Sequence, residues 1–521
     1  MSTTSSLIKS WVPDKVAVAL LALAMFPHLM LLSMFNLNST FTASFLEMEV
    51  EDLQFMFSLG YALIVCALFL HSRLFGAMNV RLYLLVMTSL NILVLFAMTC
   101  TRQTQLLLAL RIVQGPLSLF EGCIMIPVLM KTLKSPNAKF VAYSVLYSFM
   151  LTGDKYSTSL VKYAIDHYSH NFIIYTVIGF HLLALCIYLL LLRPHRIFPK
   201  KPLYQLNLAG VVLLAIGLIS GAYFLVYGKK YNWLESERII LALVSCMLFC
   251  ALFLFYQRTS KRPLYHFEVF KSERVLGGVI LFFCFYVLRS GMSNIYQVMG
   301  TVWKWPWEYV LKVQYFNVAG SLLGIVISYF LFTRGVGYKK IFITAFAILA
   351  GVMLWFSYLF YPDTTVRAIG PALFIEGVGQ GILMTPLFFF MIGAVHPSIS
   401  SSASQAGTAT RFWTSTFGFA LMQNLVFYLS TKYQFLLAHN MDVTRPVFQE
   451  QWFAIFGKYY SQYLYNDALR LSSTTLKNKV AQQALLLADT EIFRGLFVFG
   501  MVILLAILCY RPLKKTILSL K

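Results

Sequence analysis

The chain has 521 residues, of which 59% are apolar and only 12% charged, at a mean hydropathy of +0.72. No water-soluble fold hides that much apolar surface, which excludes disorder, a collagen or disulfide scaffold and a separate soluble catalytic domain. The formal charge of +22, from 42 Lys+Arg against 20 Asp+Glu, sits in short loops between apolar runs, so it reads as a topology signal and not as a nucleic-acid footprint.

In chain order, helical spans are predicted at about 15–37, 53–71, 82–100, 105–130, 139–164, 171–192, 205–227, 237–256, 274–297, 309–333, 340–360, 368–394, 403–431 and 486–510. At about 20 residues per crossing, these make an all-α polytopic membrane protein of about fourteen spans. The runs are continuous and lack the period-two alternation of a transmembrane barrel. The first run is too long for a signal-peptide core and reads as a retained span. An even count puts both termini on one side. Arg73, Arg81, Lys131, Lys134, Lys139, Arg193, Arg196, Lys200 and Lys201 collect on that side, which the charge bias assigns to the cytoplasm. The segment 432–485 reads as a long hydrophilic loop on the opposite side. Its aromatic residues, Trp452, Tyr459 and Tyr460 among them, suit the headgroup layer or a partner surface. The eight cysteines lie in or at the ends of apolar runs and form no C-x-x-C pair, so neither disulfides nor a zinc site is expected.

A short internal repeat organises the chain. Glu121-Gly-Cys-Ile-Met-Ile-Pro127 in the fourth span matches Gln380-Gly-Ile-Leu-Met-Thr-Pro386 in the twelfth at the Gly, Met and Pro positions. With the seventh and eighth spans set aside, both segments fall in the fourth helix of a six-helix bundle. The predicted layout is therefore a bundle over 1–200, two linking spans over 201–272 and a second bundle over 273–521. Duplicated halves of this kind are typical of secondary transporters, whose site lies between the halves near mid-membrane.

Ionisable residues inside a bilayer are costly and are functional candidates by default. Those singled out in the predicted spans are His28, Arg111, Glu121, Asp154, Lys155, Arg289, Glu376 and Arg411. Glu121 and Glu376, with Asp154 beside them, are candidate proton carriers, because a buried carboxyl can take up and release a proton; the structural alternative is a fixed pair with an Arg or a helix cap. Arg111 suits gating or a bond to neighbouring carbonyls, Lys155 an anionic substrate group or the aqueous end of its span, and His28 a titratable site or a satisfied core histidine. Asp154 and Lys155 point about 100° apart on a helix and need not pair. Arg289 and Arg411 sit well inside their runs. Gln114-Gly115, Glu121-Gly122 and Glu376-Gly377 place a polar side chain beside a glycine, which permits close or shifting helix contacts. There is no G-x-S-x-G, H-E-x-x-H or P-loop motif, so neither an enzyme nor an ATP-driven pump is expected, and no cofactor or metal.

Ala109-Leu-Arg-Ile-Val-Gln-Gly115 resembles the R-x-x-Q-G signature of the major facilitator superfamily. The stretch from Phe374-Ile-Glu-Gly377 through Gly381 and Pro386, followed by 401–407 and Arg411, looks like the fourteen-span drug/proton antiporter branch. The resemblance implies two six-helix bundles plus two additional spans, with the first and fourth helices of each bundle lining a central cavity. It implies alternating access, export of small amphipathic compounds or drugs against protons across a bacterial inner membrane, and an optional periplasmic adaptor protein. The loop after the second span keeps Gly76, Arg73 and Arg81 but lacks the family's acidic residue. The acid common at the end of the first span is replaced by Ser33, upstream of Asn38, and the fifth span reads Leu151-Thr-Gly-Asp-Lys155 where a Gly-Pro motif is expected. These departures weaken proton antiport more than transport itself. The rival readings are a carrier of organic anions or peptides, and a membrane enzyme or lipid-handling protein.

Overall fold

A computed structural model describes residues 7–33, 48–168, 171–197, 207–260, 263–396, 399–439, 441 and 445–510. Every apolar run in the sequence coincides with a helix. These are α1 (Asp14–Ser33), α2 (Val50–Ala77), α3 (Val80–Thr99), α4 (Thr104–Thr132), α5 (Ala138–His167), α6 (Asn171–Leu191), α7 (Leu208–Tyr227) and α8 (Glu237–Thr259). The later set is α9 (Glu273–Ser290), α10 (Met292–Thr301), α11 (Trp307–Thr333), α12 (Tyr338–Ser357), α13 (Val366–Ile392), α14 (Ser400–His439), α15 (Pro446–Tyr460) and α16 (Tyr465–Cys509). Among the described residues there is no strand, only a lone bridge between Ile8 and Leu192. Among the described residues eleven helical segments are long and apolar enough to cross a membrane; α1, α5 and α14 are helical but fall outside that set. Ser33's side chain and Asn38 lie outside the described residues.

One expectation is met with a break, and one changes. The run 274–297 falls in a single candidate span, Glu273–Thr301, which a turn at Gly291 beside Ser290, a pairing that commonly interrupts helices, divides into α9 and α10. The segment 432–485 is not a loop: α14 runs on to His439, α15 forms a separate helix, and α16 starts at Tyr465. Hydropathy marks where the bilayer ends, not where backbone hydrogen bonding ends. The stretch 466–485 is rich in Ala, Leu, Lys and Gln and has no Gly or Pro, so the helix simply continues. Pro446 opens α15 at a position where its missing N–H is not needed. α15 then packs back on α16, with the hydroxyls of Tyr459 and Thr475 3.0 Å apart.

Helices α1–α6 pack largely on one another, as do α9–α16, and the sets meet where α5 touches α11 and α13 and where α2 touches α14. The tightest crossing joins α11 to α13. Gly320 and Gly324 on one face Gly377 and Gly381 on the other, each at the four-residue spacing that stacks small residues on one helix face. A Cβ on Gly320 would stand 1.9 Å from the Phe374 carbonyl oxygen, and one on Gly381 2.3 Å from that of Ser321. α7 lies against α2 and α14, while α8 packs chiefly on α7 and is mostly uncovered.

Gly320→Val is therefore expected to destabilise the protein by about 1–3 kcal/mol, the usual cost of overpacking, seen as a lower melting temperature in detergent. Gly351→Ala on neighbouring α12, where nothing lies within 4 Å of the added carbon, should melt with the parent protein.

Candidate functional site

Between the two helix sets lies a cavity of about 540 Å³. α2 and α5 supply one wall, and α9, α10, α11, α13 and α14 the other. At one end it reaches Glu51, in the first turn of α2, and Lys229, just past α7; this end is its mouth. The other end, the base, is shut by rings. Phe140 of α5 stacks on Phe332 of α11 at 4.3 Å and on Phe389 of α13 at 5.4 Å, and Tyr143 lies 4.5 Å from Phe388. The cavity is thus open to one side of the bundle and sealed to the other by an apolar plug that joins α5 to α11 and α13.

Midway down, four of the sequence candidates converge. α5 carries Asp154 and Lys155, the last turn of α9 carries Arg289, and α13 carries Glu376, all on the cavity wall. Asp154 and Lys155, which their helical angle did not require to pair, do pair: Lys155 Nζ sits 2.6 Å from Asp154 Oδ2 and reaches back to the Leu151 carbonyl at 3.4 Å. Arg289 Nη2 lies 3.9 Å from the same oxygen. Glu376 is fully buried and accepts hydrogen bonds from Asn317 Nδ2 and Gln380 Nε2. Asn317 also donates to the Leu373 carbonyl at 3.0 Å, so it bridges the glycine crossing. Arg289 and Lys155 are near enough to act electrostatically on Glu376. Two cations and two anions in one low-dielectric pocket offset much of each other's desolvation cost. The break at Gly291 lets residues from both α9 and α10 face the cavity, as interrupted spans do at transporter sites. Arg411 lines the same cavity from α14, but outside this cluster.

The remaining candidates lie elsewhere. His28 and Glu121 meet, but inside the first helix set and off the cavity lining. His28 Nδ1 is 2.6 Å from Glu121 Oε2, and Asn91 Nδ2 donates to that oxygen at 3.0 Å. His181 Nε2 stands 3.6 Å away, and its Nδ1 donates to the Val177 carbonyl at 2.8 Å. Tyr188 closes the set with its hydroxyl 2.7 Å from His28 Nε2. All five side chains are fully buried, linking α1, α3, α4 and α6. The expectation that α1 and α4 line the cavity is thus not met by these residues. His28, Glu121 and His181 present three ligand-type atoms within 4.8 Å. Yet ligands held about 2.0 Å from a tetrahedral ion stand more than 3 Å apart. The His28–Glu121 distance is that of a hydrogen bond.

Arg111, Gln114 and Gly115 form the crossing of α4 over α2. A Cβ on Gly115 would be 2.9 Å from the Gly60 carbonyl oxygen, and one on Gly60 2.9 Å from Arg111 Nε. Arg111 donates to Gln114, whose Nε2 donates to Ser118 Oγ at 3.0 Å. The signature thus seats a guanidinium over a glycine step. Gly122 faces His28 with a hypothetical Cβ 4.0 Å away, and Gly76 is buried in the last turn of α2.

Sequence reading missed Asn317, Gln380, Asn91 and His181, and also Asp489 of α16, which accepts from Asn294 at 3.0 Å. The available signal was an amide, histidine or aspartate inside an apolar helix.

Comparison with known proteins agrees with this architecture. No protein-family model matches the chain. Probable multidrug resistance protein EmrY of Escherichia coli K12 is 24% identical over 430 residues, covering 80% of this chain and 79% of that one. Multidrug export protein EmrB of the same organism is 20% identical over 294 residues, 56% and 55% of the two chains. Among solved structures, a POT family transporter bound to a thioalcohol-conjugated peptide superposes with a TM-score of 0.61 at 12% identity, covering 96% of this chain and 97% of that one. The nucleoside transporter NupG gives 0.54 at 12% identity over 96% and 100%. The chain shares the fold of these transporters and is similar in sequence to the multidrug export proteins. Its distant sequence relatives are multidrug export proteins, and that similarity supports a membrane-embedded secondary transporter and not an enzyme.

His28→Ala should strand the buried Glu121 and cost about 3–5 kcal/mol, as breaking one partner of a buried pair does. The check is the detergent melting temperature, which should fall much further than for Glu121→Gln, where a hydrogen-bonding group of the same shape remains.

Proposed function

We propose that the protein is a proton-coupled exporter of amphipathic organic compounds, working by alternating access in a bacterial inner membrane. The observation that carries this reading is the four-charge cluster on the wall of a cavity that has one open and one plugged end. The excess of Lys and Arg on the base side orients the base, with both termini, toward the cytoplasm. On that orientation the cavity faces outward, and the α14–α16 projection stands in the periplasm, where an adaptor protein would meet it.

In the outward state, Asp154 and Glu376 are reached from the periplasm and one of them takes a proton. Loss of that negative charge loosens its hold on Lys155 and Arg289 and removes the reason for α5, α9 and α13 to stay in this arrangement. The aromatic plug, held by stacking and apolar burial without an ion pair, then parts as the two sets rock. Deprotonation into the cytoplasm restores the cluster and resets the carrier. Coupling is placed on Asp154 and Glu376, and not on Glu121, whose carboxylate is enclosed by His28, His181 and Asn91.

Glu376→Gln keeps the shape and one of the two acceptor oxygens but cannot ionise. In proteoliposomes it should abolish flux driven by a pH gradient while solute counterflow without a gradient persists. Undiminished gradient-driven flux would reject this assignment, and loss of both fluxes would make Glu376 a solute-binding or folding residue.

A further inference from the structure

We propose that Arg411 anchors an anion subsite in the cavity, so that the solute is a flat, aromatic amphiphile bearing a carboxylate- or sulfonate-type group. This rests on the transport reading above and names the substrate class of that same cavity.

Charge balance singles Arg411 out. Asp154 and Glu376 offset Lys155 and Arg289 within the cluster. At the mouth, Glu51 lies near Lys229. Arg411 is left over. Among the described residues no carboxylate stands within ion-pair distance of it. Its Nη1 donates to the thioether of Met150 at 3.0 Å, and its guanidinium carbon lies 4.5 Å from the centre of the Phe412 ring. Sulfur is a weak acceptor, and a guanidinium has five donors and stays charged at any physiological pH. With only 9% of the residue exposed, water does little to solvate it. A permanent cation held in this way is costly unless an anion joins it, and the cavity is the space from which one can arrive.

The surroundings describe the rest of the guest. Tyr61 stacks on Phe412 at 4.7 Å and 27°, and Phe149 lines the same cavity. Arg411, Ser415 and Met422 lie along the cavity face of α14, so a molecule bound at the guanidinium extends its apolar body over rings and a thioether toward the mouth. A cavity of about 540 Å³ is within the usual range for drug-sized ligands. An inorganic anion would satisfy the guanidinium but leave the aromatic wall without a partner.

The test uses one ring system with three head groups. Equilibrium binding of 1-naphthaleneacetate, 1-naphthaleneacetamide and 1-naphthylethylamine is measured on the purified full chain. The carboxylate should bind about ten- to a hundred-fold more tightly than the amide, the range that hydrogen bonds to a charged group supply. Arg411→Gln should bring the carboxylate down to the amide's level, and Arg411→Lys should restore part of the difference; melting curves confirm that both variants fold. Equal binding of all three probes, tighter binding of the amine, a preference that survives Arg411→Gln, or no carboxylate binding at millimolar concentration would each overturn the subsite. Competition by inorganic phosphate as strong as that of unlabelled naphthaleneacetate would overturn the aromatic part. Flux in proteoliposomes separates this from the transport reading: an Arg411-dependent carboxylate preference with no gradient-driven movement of the probe keeps the subsite and rejects transport. Movement of all three probes without preference does the reverse.

Discussion

A charge cannot sit at the middle of a bilayer without a partner or water, and that constraint organises this protein. Asp154, Lys155, Arg289 and Glu376 come from three helices that share no turn of chain, yet they meet at one depth because each needs the others. Their cluster sits beside the cavity, where a change in protonation or a bound solute can reach it. The His28–Glu121–His181 cluster obeys the same rule differently. It is closed on itself among α1, α3, α4 and α6, so its charge balance belongs to the stability of the first helix set.

Glycine makes this convergence geometrically possible. The reciprocal pairs on α11 and α13 let the two backbones touch, which brings Asn317 within reach of both Glu376 and the Leu373 carbonyl. A side chain on Gly377 or Gly381 would push Glu376 away from its amide donors before it changed anything chemical. The α2–α4 crossing repeats the device with Gly60 and Gly115, there to seat Arg111. In both halves the polar residue of interest sits beside the closest helix contact.

Much of this was legible in the amino-acid order, because the bilayer imposes simple rules on it. Apolar run length located the helices of the two bundles and the added pair but not α15, and the scarcity of charge in those runs picked out all four members of the cavity cluster and Arg411. The R-x-x-Q-G motif pointed to the right crossing. Partnerships were not legible, since they depend on helix rotation. Nothing in the sequence separates Glu121, turned toward His28 and His181, from Glu376, turned toward the cavity. The amides that hold each carboxylate were passed over because Asn and Gln carry no charge, although in a dry interior an unpaired amide is also costly. The helical course of 432–485 was hidden by its polarity, which reports exposure to water and not conformation.

The two added helices leave the molecule lopsided. α7 lies over the line where α2 and α14 meet, whereas the opposite line, where α5 meets α11, has no such covering among the described residues. Lipid can therefore border the α5–α11 line directly, and polar ties hold that uncovered flank shut: the hydroxyls of Ser159 and Tyr315 lie 2.7 Å apart, and Lys162 Nζ is 3.1 Å from Glu308 Oε1. The shielded flank is left to act as a spine.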